Sequence, residues 1–264
     1  MSPTRDLEAV GAAARARVCA GRVLVTGATR GIGAAVVEAL VARGAKVAAA
    51  GRDEARLEAL DARFGARVHP LRADLMRADE RGSLVARAEQ ALGGLDGFVS
   101  SAGIAEYEPA LELSEASLRR QLECNLIAPA LLTRDVAAIL RARGEGGAIV
   151  HILSTLALRP APLTSAYASS KGGLLSLVRT FAQELAADGV RVNALLPGIV
   201  DTEMIRADRP DGLQIEARLE AFAALHPLGR LGRVEEIAES VLHLLDAEWI
   251  TGACLAIDGG LSIA

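Results

Sequence analysis

Two hydrophobic patterns alternate along this chain of 264 residues. Short continuous apolar runs predict buried strands, and longer segments with apolar residues every three or four positions predict helices. Because strands that alternate with helices form parallel sheets covered on both faces, we expect a doubly wound α/β fold with about seven strands. The expected strands are residues 23–25, 46–50, 67–72, 97–100, 147–153, 191–196 and 253–257. The expected helices are a segment from residue 32 that Gly44 ends, and residues 54–64, 77–92, 114–127, 129–143, 165–187 and 234–245.

The remaining segments set the expected domain organisation. Residues 1–20 read as a polar lead before the first strand, and residues 21–264 are expected to form a single domain. No strand or helix pattern persists from residue 197 to residue 227. We therefore expect an irregular or lid-like segment there, with a substrate loop at residues 203–226.

Composition narrows the expected partners and the compartment. Apolar residues make up 51% of the chain but aromatic residues only 3%, so small aliphatic side chains must pack the interior. A net charge of −4 gives no reason to expect nucleic acid or a membrane as a partner. The N-terminus has no apolar core typical of a secretory signal, and no apolar run reaches the ~18 residues that span a bilayer. Three scattered cysteines predict neither a metal site nor disulfides, which favours a cytoplasmic location.

The first candidate site is a glycine-rich turn at residues 22–33, which read RVLVTGATRGIG. An apolar strand precedes the glycines Gly27, Gly31 and Gly33, and a helical pattern follows them. Glycines allow close approach of a pyrophosphate, and a helix N-terminus offers it unpaired N–H groups. The alternative is a tight turn that binds nothing, and the flanking strand and helix argue against it.

The second candidate site is a pair of residues one helical turn apart, Tyr167 and Lys171. A phenol with a pKa near ~10 is a poor acid at neutral pH, but a neighbouring ammonium stabilises its phenolate. Ser154 stands at the end of the fifth strand, where it can donate a hydrogen bond to a substrate oxygen, and Asn125 lies near the end of the preceding long helix. Each of these features alone has a common structural explanation. Tyr and Lys one turn apart are usually a surface pair, a serine at a strand end is usually a turn residue, and an interior asparagine often caps a kink.

Taken together, these motifs resemble those of the short-chain dehydrogenase/reductase family, in its compact branch. The resemblance extends over about residues 21–260. The matching residues are Thr26-Gly27-Ala28-Thr29-Arg30-Gly31-Ile32-Gly33, Asp74-Leu75, Ala102-Gly103, Asn125, Ser154, Tyr167, Lys171, Pro197-Gly198, Thr202 and Ile257-Asp258-Gly259-Gly260. Ser100-Ser101 departs from the two asparagines usual in the family, which puts sheet packing or cofactor affinity there in doubt.

The resemblance implies a Rossmann-type fold and a role for each matching residue. Tyr167 would exchange a proton with the substrate oxygen. Lys171 would lower the pKa of Tyr167 and bind the nicotinamide ribose. Ser154 would polarise the substrate oxygen, and Asn125 would fix a water in a proton relay. The implied cofactor-binding residues are Gly27, Thr29, Arg30, Gly31, Ile32, Gly33, Arg52, Asp74, Leu75, Ser101, Ala102, Gly103, Tyr167, Lys171, Pro197, Gly198, Val200 and Thr202.

The charge pattern favours NADP(H) over NAD(H) as the cofactor. NAD-binding proteins of this kind tend to end the second strand with an acid, whereas this strand ends Ala49-Ala50-Gly51-Arg52. Arg30 lies in the glycine turn itself. Two guanidinium groups at the adenosine 2′ position suit a phosphate. The alternative is that both arginines are solvated surface residues.

The substrate region is expected to be mainly apolar. It should be lined by residues 104–110, 156–163 and 204–225, which contribute Tyr107, Leu156, Leu158, Leu163, Met204, Ile205, Leu213, Ile215 and Phe222. The chain looks most like reductases of 3-oxoacyl groups on a carrier protein. Asp188 stands where those enzymes tend to have a basic residue, which disfavours an acidic carrier.

These observations predict an NADPH-dependent reductase that converts a ketone of a small apolar or 3-oxoacyl compound to a secondary alcohol. One alternative is an NAD(P)-dependent secondary-alcohol dehydrogenase, because the same residues serve both directions. A second is a non-catalytic NADPH-binding sensor, and a third is an oligomerisation scaffold. The resemblance also implies a homotetramer or homodimer, formed through helices with apolar residues on more than one face: Leu131, Leu132, Val136, Leu174, Leu175 and Val178.

Overall fold

The structure is a computed structural model that describes residues 18–206 and 214–264. Most of the predicted polar lead, residues 1–17, therefore lies outside the described residues. Its last three residues, Val18–Ala20, form a 3₁₀ turn that leads into the first strand.

Seven parallel strands form one sheet in the order β3-β2-β1-β4-β5-β6-β7. The order reverses between β1 and β4, which makes the sheet doubly wound. The predicted α/β fold class is confirmed. The strands are β1 Arg22–Thr26, β2 Lys46–Gly51, β3 Val68–Arg72, β4 Gly97–Ser100, β5 Gly147–Ile152, β6 Val190–Pro197 and β7 Cys254–Ile257.

Helices cover both faces of the sheet. Helices α1, α2 and α9 pack on one face, and α3, α5 and α6 pack on the other. In the described residues, the helices are α1 Gly31–Ala42, α2 Glu54–Phe64, α3 Ala78–Leu92, α4 Glu115–Leu122, α5 Ala128–Arg143, α6 Ser165–Leu185, α7 Glu203–Arg206, α8 Ile215–Ala224 and α9 Val234–Asp246. No helix in this part of the chain is long and apolar enough to cross a membrane.

The central strands are continuous apolar runs because successive side chains enter two different cores. In β1, Val23 and Val25 pack with α1 and α9, whereas Leu24 packs with the cluster that includes α3 and α5. All three side chains are fully buried. A sheet covered on both faces leaves no solvent-exposed side for polar residues, which is why these strands do not alternate.

The structure corrects the prediction of two separate helices at residues 114–127 and 129–143. Helix α4 ends at Leu122, and a π-helical turn, Glu123–Ile127, leads directly into α5. Pro129 lies in the first turn of α5. In a regular helix its ring would meet the carbonyl of Asn125, four residues earlier, and the wider π turn coincides with that position.

The described residues between 197 and 227 contain more regular structure than the predicted irregular segment. Helices α7 and α8 lie within it, separated by residues 207–213, which are outside the described residues. His226 follows α8, and its Nε2 accepts a hydrogen bond from Ile199 N at 3.1 Å. Its Nδ1 lies 2.8 Å from Phe222 O. A local hydrophobic pattern does not reveal a contact between residues as distant in sequence as Ile199 and His226. The sequence pattern therefore predicted an irregular segment here.

The apolar residues cited above for assembly are mostly buried within the chain itself. Leu132, Val136, Leu174, Leu175 and Val178 all belong to the core between the sheet and its helices. They are therefore accounted for without a second subunit, and the sequence argument from them is wrong. Assembly into a homotetramer or homodimer stays a prediction that depends on the resemblance alone.

A carboxylate joins two elements at the N-terminal edge of the sheet, opposite the end where the strands finish. Asp96 Oδ2 accepts hydrogen bonds from Arg22 Nε at 2.9 Å and Arg22 N at 2.7 Å. Asp96 Oδ1 accepts one from Arg143 Nη1 at 2.7 Å. Burial alone would raise the pKa of Asp96, but these hydrogen bonds outweigh it and lower the pKa from 3.8 to about 2.

We expect Asp96→Asn to lower the free energy of unfolding by about 1–3 kcal/mol at pH 7. Because the folded pKa is depressed, this contribution is complete above about pH 5 and is lost as the pH falls through about 4 toward 2. Urea denaturation of both proteins between pH 7 and pH 3.5 measures it. A stability difference that does not shrink at the lower pH would contradict this assignment.

Candidate active site

A cleft of about 1490 Å³ opens at the carboxyl ends of the strands, where the strand order reverses. The turn after β1 and the loops after β4, β5 and β6 all contribute to its walls. Because parallel strands end at one edge, residues far apart in sequence meet there, and ligands of such sheets bind in this crevice. The cleft is therefore the candidate active site.

The glycine turn needs glycines for steric reasons. Gly27 and Gly31 have φ angles of +68° and +53°. A Cβ on Gly27 would lie 2.7 Å from Ala102 N, and one on Gly33 would lie 2.1 Å from Gly27 O. Gly33 thus allows α1 to pack against the turn, and Gly27 allows the loops after β1 and β4 to approach each other.

The start of α1 fits an anionic group such as a pyrophosphate. Its N-cap residue, Arg30, makes no side-chain cap hydrogen bond, and the first turn contains no acidic residue. The adjacent residues Gly31 and Ile32 line the cleft. Uncapped N–H groups and the positive end of the helix dipole then face the cavity without a competing carboxylate on the helix itself.

Most of the predicted site residues line this one cleft. Gly33 and Asn125 are the exceptions: Gly33 packs against the turn, and Asn125 is fully buried beneath the cavity wall. The predicted residues that line the cleft are Gly27, Thr29, Arg30, Gly31, Ile32, Arg52, Asp74, Leu75, Ser101, Ala102, Gly103, Ser154, Tyr167, Lys171, Pro197, Gly198, Val200 and Thr202.

One end of the cleft carries a cluster of arginines that is larger than predicted. Arg30 and Arg52 line it as expected, and Arg56 from the first turn of α2 joins them. Glu203, the first residue of α7, accepts a hydrogen bond from Arg56 Nη1 at 2.8 Å. It also lies 3.5 Å from Arg30 Nη1. The sequence contains no local signal for Arg56 or Glu203, because 147 residues separate them.

Tyr167 and Lys171 lie together on α6, and both are buried, with 9% and 4% of their surface exposed. The Lys171 Nζ atom is 5.7 Å from the centre of the Tyr167 ring. It donates a hydrogen bond to Ile152 O at 3.0 Å, which ties α6 to the end of β5. Burial lowers the pKa of Lys171 from 10.5 to about 8, so the ammonium form still dominates at neutral pH.

Asn125 lies in the π turn and holds the loop after β4. Its Nδ2 donates to Ile104 O at 2.9 Å, and its Oδ1 accepts from Ile104 N at 2.9 Å. The same Nδ2 contacts Ser170 Oγ at 3.1 Å, and Ser170 Oγ donates to Tyr167 O at 2.7 Å. The side chain therefore connects the loop to α6 near Tyr167. Its predicted contact with a water stays a prediction.

Ser154 follows β5 and caps a short 3₁₀ turn, Thr155–Ala157. Its Oγ accepts a hydrogen bond from Leu156 N at 3.2 Å. Because this bond uses the oxygen as an acceptor, the hydroxyl proton is available for an oxygen in the cleft. The cap also holds the side chain at the cavity wall.

The other end of the cleft is mainly apolar, as predicted, but its lining differs in detail. Tyr107, Leu156, Leu163, Met204, Ile205 and Phe222 line it. Leu158 is instead 55% exposed and Ile215 does not line the cleft, while Leu213 lies outside the described residues. Leu163 has a φ of +68°, an unusual angle for a residue with a side chain.

Sequence reasoning missed several polar residues in this apolar half. Glu106 and Arg120 both line the cleft and form an ion pair at 2.8 Å. Arg159 also lines it and donates to Leu261 O at 3.3 Å. The spacing of these residues along the chain matches no sequence motif, so their position in the cleft wall becomes evident only from the fold.

His151 is a nearby buried histidine that does not line the cleft. Its Nε2 lies 3.0 Å from Thr133 Oγ1. Burial, together with the charge of Lys171, lowers its pKa from 6.5 to about 3. His151 is therefore neutral at physiological pH, and it cannot exchange a proton directly with a ligand in the cleft.

The family model described as enoyl-(acyl carrier protein) reductase matches residues 27–262. A cis-4-hydroxycyclohexanecarboxylate dehydrogenase of Sinomonas cyclohexanicum is 39% identical over 90% of this chain and 94% of its own length. This chain belongs to the short-chain dehydrogenase/reductase family. Membership makes it an oxidoreductase that acts on CH–OH or C=O groups with a nicotinamide cofactor.

Two further similarities extend over nearly the whole of this short-chain dehydrogenase/reductase. An L-rhamnose 1-dehydrogenase (NAD(P)⁺) of Azotobacter vinelandii is 35% identical over 91% of the chain and 96% of the relative. The ligand-free aldohexose dehydrogenase of Thermoplasma acidophilum superimposes with a TM-score of 0.82 at 29% identity. That match covers 92% of this chain and 94% of the other.

The remaining candidate groups in this short-chain dehydrogenase/reductase are metal ligands and the thiol of Cys124. Within residues 18–206 and 214–264, no three His, Cys, Asp or Glu side chains are grouped as metal ligands. Cys124 lines the cleft, but burial raises the pKa of its thiol. It is therefore mainly a neutral thiol near pH 7 rather than a nucleophilic thiolate.

The helical glycines give a matched pair of tests for this short-chain dehydrogenase/reductase. We expect Gly33→Ala to lower the melting temperature and weaken binding of the nicotinamide cofactor at least about tenfold, because its Cβ would meet Gly27 O at 2.1 Å. A Cβ at Gly82 in α3 meets nothing within 4 Å, so Gly82→Ala should stabilise the fold by about 0.5–1 kcal/mol. Thermal denaturation of both variants, and titration of each with NADH and NADPH, test this. Equal behaviour would contradict the close contact.

Proposed function

We propose that this protein is an NADPH-dependent reductase that converts a ketone of a small, mainly apolar compound to a secondary alcohol. The observation that carries the proposal is the division of one cleft into two ends. Tyr167, Lys171 and Ser154 line it together with apolar side chains, while Arg30, Arg52 and Arg56 line its other end.

The residues at the apolar end can perform the proton chemistry of the reaction. Ser154 donates a hydrogen bond to the carbonyl oxygen and positions it, and Tyr167 transfers its phenol proton to the same oxygen. The Lys171 ammonium stabilises the phenolate that remains. Ile152 O accepts a hydrogen bond from Lys171 Nζ at 3.0 Å and so holds the ammonium near the ring.

The nicotinamide cofactor, when bound, supplies the hydride. The glycine turn and the start of α1 would hold its pyrophosphate, and Lys171 would hydrogen bond to the nicotinamide ribose. Asp74 and Leu75 would lie on either side of the adenine, and Val200 and Thr202 would contact the nicotinamide amide and the phosphates. Asn125 would act as a positioning residue, because its hydrogen bonds connect the loop after β4 with α6.

Positive charge at the adenosine end supports NADPH over NADH. Three arginines line this end, from the glycine turn, the end of β2 and the start of α2. Arginine binds a phosphate through a planar pair of N–H groups, so this cluster suits the 2′-phosphate. The relative from Azotobacter vinelandii is named for both cofactors, so family membership alone does not decide the choice.

The apolar lining supports a substrate with a compact carbon skeleton. The relative from Sinomonas cyclohexanicum is named for a hydroxylated cyclohexane ring. A ring of that size suits side chains such as Leu156, Leu163 and Phe222. The argument from Asp188 against a carrier protein is weakened, since Asp188 lies 3.4 Å from Arg141 and its charge is partly balanced.

The oxidative direction is a second candidate, and a specific observation favours it. All three relatives described above are named as dehydrogenases of alcohols or sugars. In that direction Tyr167 accepts the hydroxyl proton, so its phenolate is the active form. The same residues serve both directions, and the relative concentrations of ketone, alcohol and the two cofactor forms, together with the pH, select the direction.

We expect Tyr167→Phe to reduce the single-turnover rate of ketone reduction about 10²–10⁴-fold, because the phenol is the proton donor. NADPH affinity should change little in this variant. Lys171→Ala should lower both the rate and the affinity, since Lys171 contacts the cofactor as well. Single-turnover reduction and NADPH titration measure both quantities.

The control is Tyr107→Phe, which makes the same change at the only other tyrosine, also in the cleft wall. It should change the rate less than about tenfold. Near-normal turnover by Tyr167→Phe would show that another group supplies the proton.

We expect Arg52→Asp to shift the preference toward NADH by at least about tenfold in kcat/KM. A carboxylate there would repel the 2′-phosphate and accept hydrogen bonds from the ribose hydroxyls. Arg67→Asp is the control, because Arg67 is exposed and bonds to Gly44 O near the opposite edge of the sheet. If the ratio is unchanged in Arg52→Asp, this residue does not face the adenosine end.

A further inference from the structure

A carboxylate occupies the position between the arginines at the adenosine end of the cleft. Glu203 Oε1 accepts from Arg56 Nη1 at 2.8 Å, and Glu203 Oε2 lies 3.5 Å from Arg30 Nη1. The three residues come from α7, α2 and the glycine turn, which are distant in sequence. All three line the cleft, so the ion pairs lie at its wall, where the adenosine end of the cofactor is expected.

The geometry of Glu203 resembles that of a bound phosphate. Each carboxylate oxygen contacts a different guanidinium group, as two oxygens of one phosphate would. The hydrogen bond from Arg56, assisted by the charge of Arg30, lowers the pKa of Glu203, so it is ionised at neutral pH. A second anion that needs the same guanidinium groups must therefore compete with it.

We propose that Glu203 is a specificity-determining residue that competes with the 2′-phosphate of the cofactor for Arg30 and Arg56. The inference rests on the proposed use of NADPH. A cofactor with a 2′-phosphate displaces Glu203 and separates α7 from the glycine turn. A cofactor without the 2′-phosphate leaves the ion pairs intact.

The charge count at this end supports the exchange. Arg30, Arg52 and Arg56 line the cleft there with Asp53, Asp74 and Glu203, so the charges of these six side chains cancel. When Glu203 moves away, the remaining five side chains carry a net charge of +1. A phosphate monoester carries a charge of about −1.5 to −2 at pH 7, so it meets a net positive charge only after Glu203 has moved. Displacement of Glu203 thus makes the site electrostatically complementary.

The size of the effect should be modest because the pairs are exposed. The side chains of Arg30, Arg56 and Glu203 are 51%, 43% and 52% exposed. Exposed ion pairs contribute little individually, so removal of the competing carboxylate should tighten binding by about three- to tenfold. Higher salt should reduce the difference, since it screens exposed charges.

The test uses two small probes of the adenosine end, 2′,5′-ADP and 5′-AMP, which differ only in the 2′-phosphate. Their dissociation constants are measured by calorimetry for the wild type and for Glu203→Gln. We expect 2′,5′-ADP to bind about three- to tenfold more tightly to the variant, and 5′-AMP to change less than about twofold. NADPH and NADH titrations should show the same difference.

The matched control is Glu38→Gln, which removes a carboxylate from another exposed pair. Glu38 accepts from Arg63 at 2.6 Å and does not line the cleft. This variant should bind both probes as the wild type does. Thermal denaturation of each variant verifies that the fold is intact, and Glu203→Ala provides a second substitution without a carboxylate.

Two results would overturn the inference, and they can be told apart. If the wild type prefers 2′,5′-ADP but neither Glu203 variant binds it more tightly, the competition is wrong while the proposed cofactor stands. If the wild type and both Glu203 variants bind the two probes equally, the arginines do not recognise a 2′-phosphate, so the proposed NADPH preference fails and the inference fails with it.

Discussion

Every part of the site depends on the parallel direction of the seven strands. Because all strands end at the same edge, the glycine turn after β1, Ser154 after β5 and Gly198 after β6 meet around one cleft. The reversal of strand order beside β1 separates the neighbouring loops and leaves room for a ligand. A sheet with antiparallel members would send some of these loops to the opposite edge, where Asp96 lies.

The parts of the fold that the sequence predicts are those encoded by neighbouring residues. The strand, glycines and helix at residues 22–42 lie within one unit, so their pattern survives without knowledge of the rest of the chain. Tyr167 and Lys171 are likewise one turn apart on a single helix. In both cases local periodicity and steric demand determine the arrangement.

The parts that were missed depend on contacts between distant segments. Glu203 meets Arg56 across 147 residues, and His226 accepts a hydrogen bond from Ile199 across 27 residues. The π turn around Asn125 becomes evident only when Pro129 is considered against the carbonyl four residues before it. The apolar residues of α5 and α6 that were cited for assembly are buried because these helices pack against the sheet and against one another, so they do not bear on assembly, which stays a prediction.

The π turn between α4 and α5 has a consequence for how the chain length at this point can vary. Removal of one residue from Glu123–Ile127 would allow a regular helix, which is locally more stable. It would leave the following helix in nearly the same rotational position, since a π turn holds one residue more than an α turn and the deletion removes that residue. Leu132, Val136 and Leu140 would keep facing the sheet that buries them completely. The packing of the following helix thus tolerates the irregular turn without requiring it, and the effect of the additional residue is local to the backbone around Asn125.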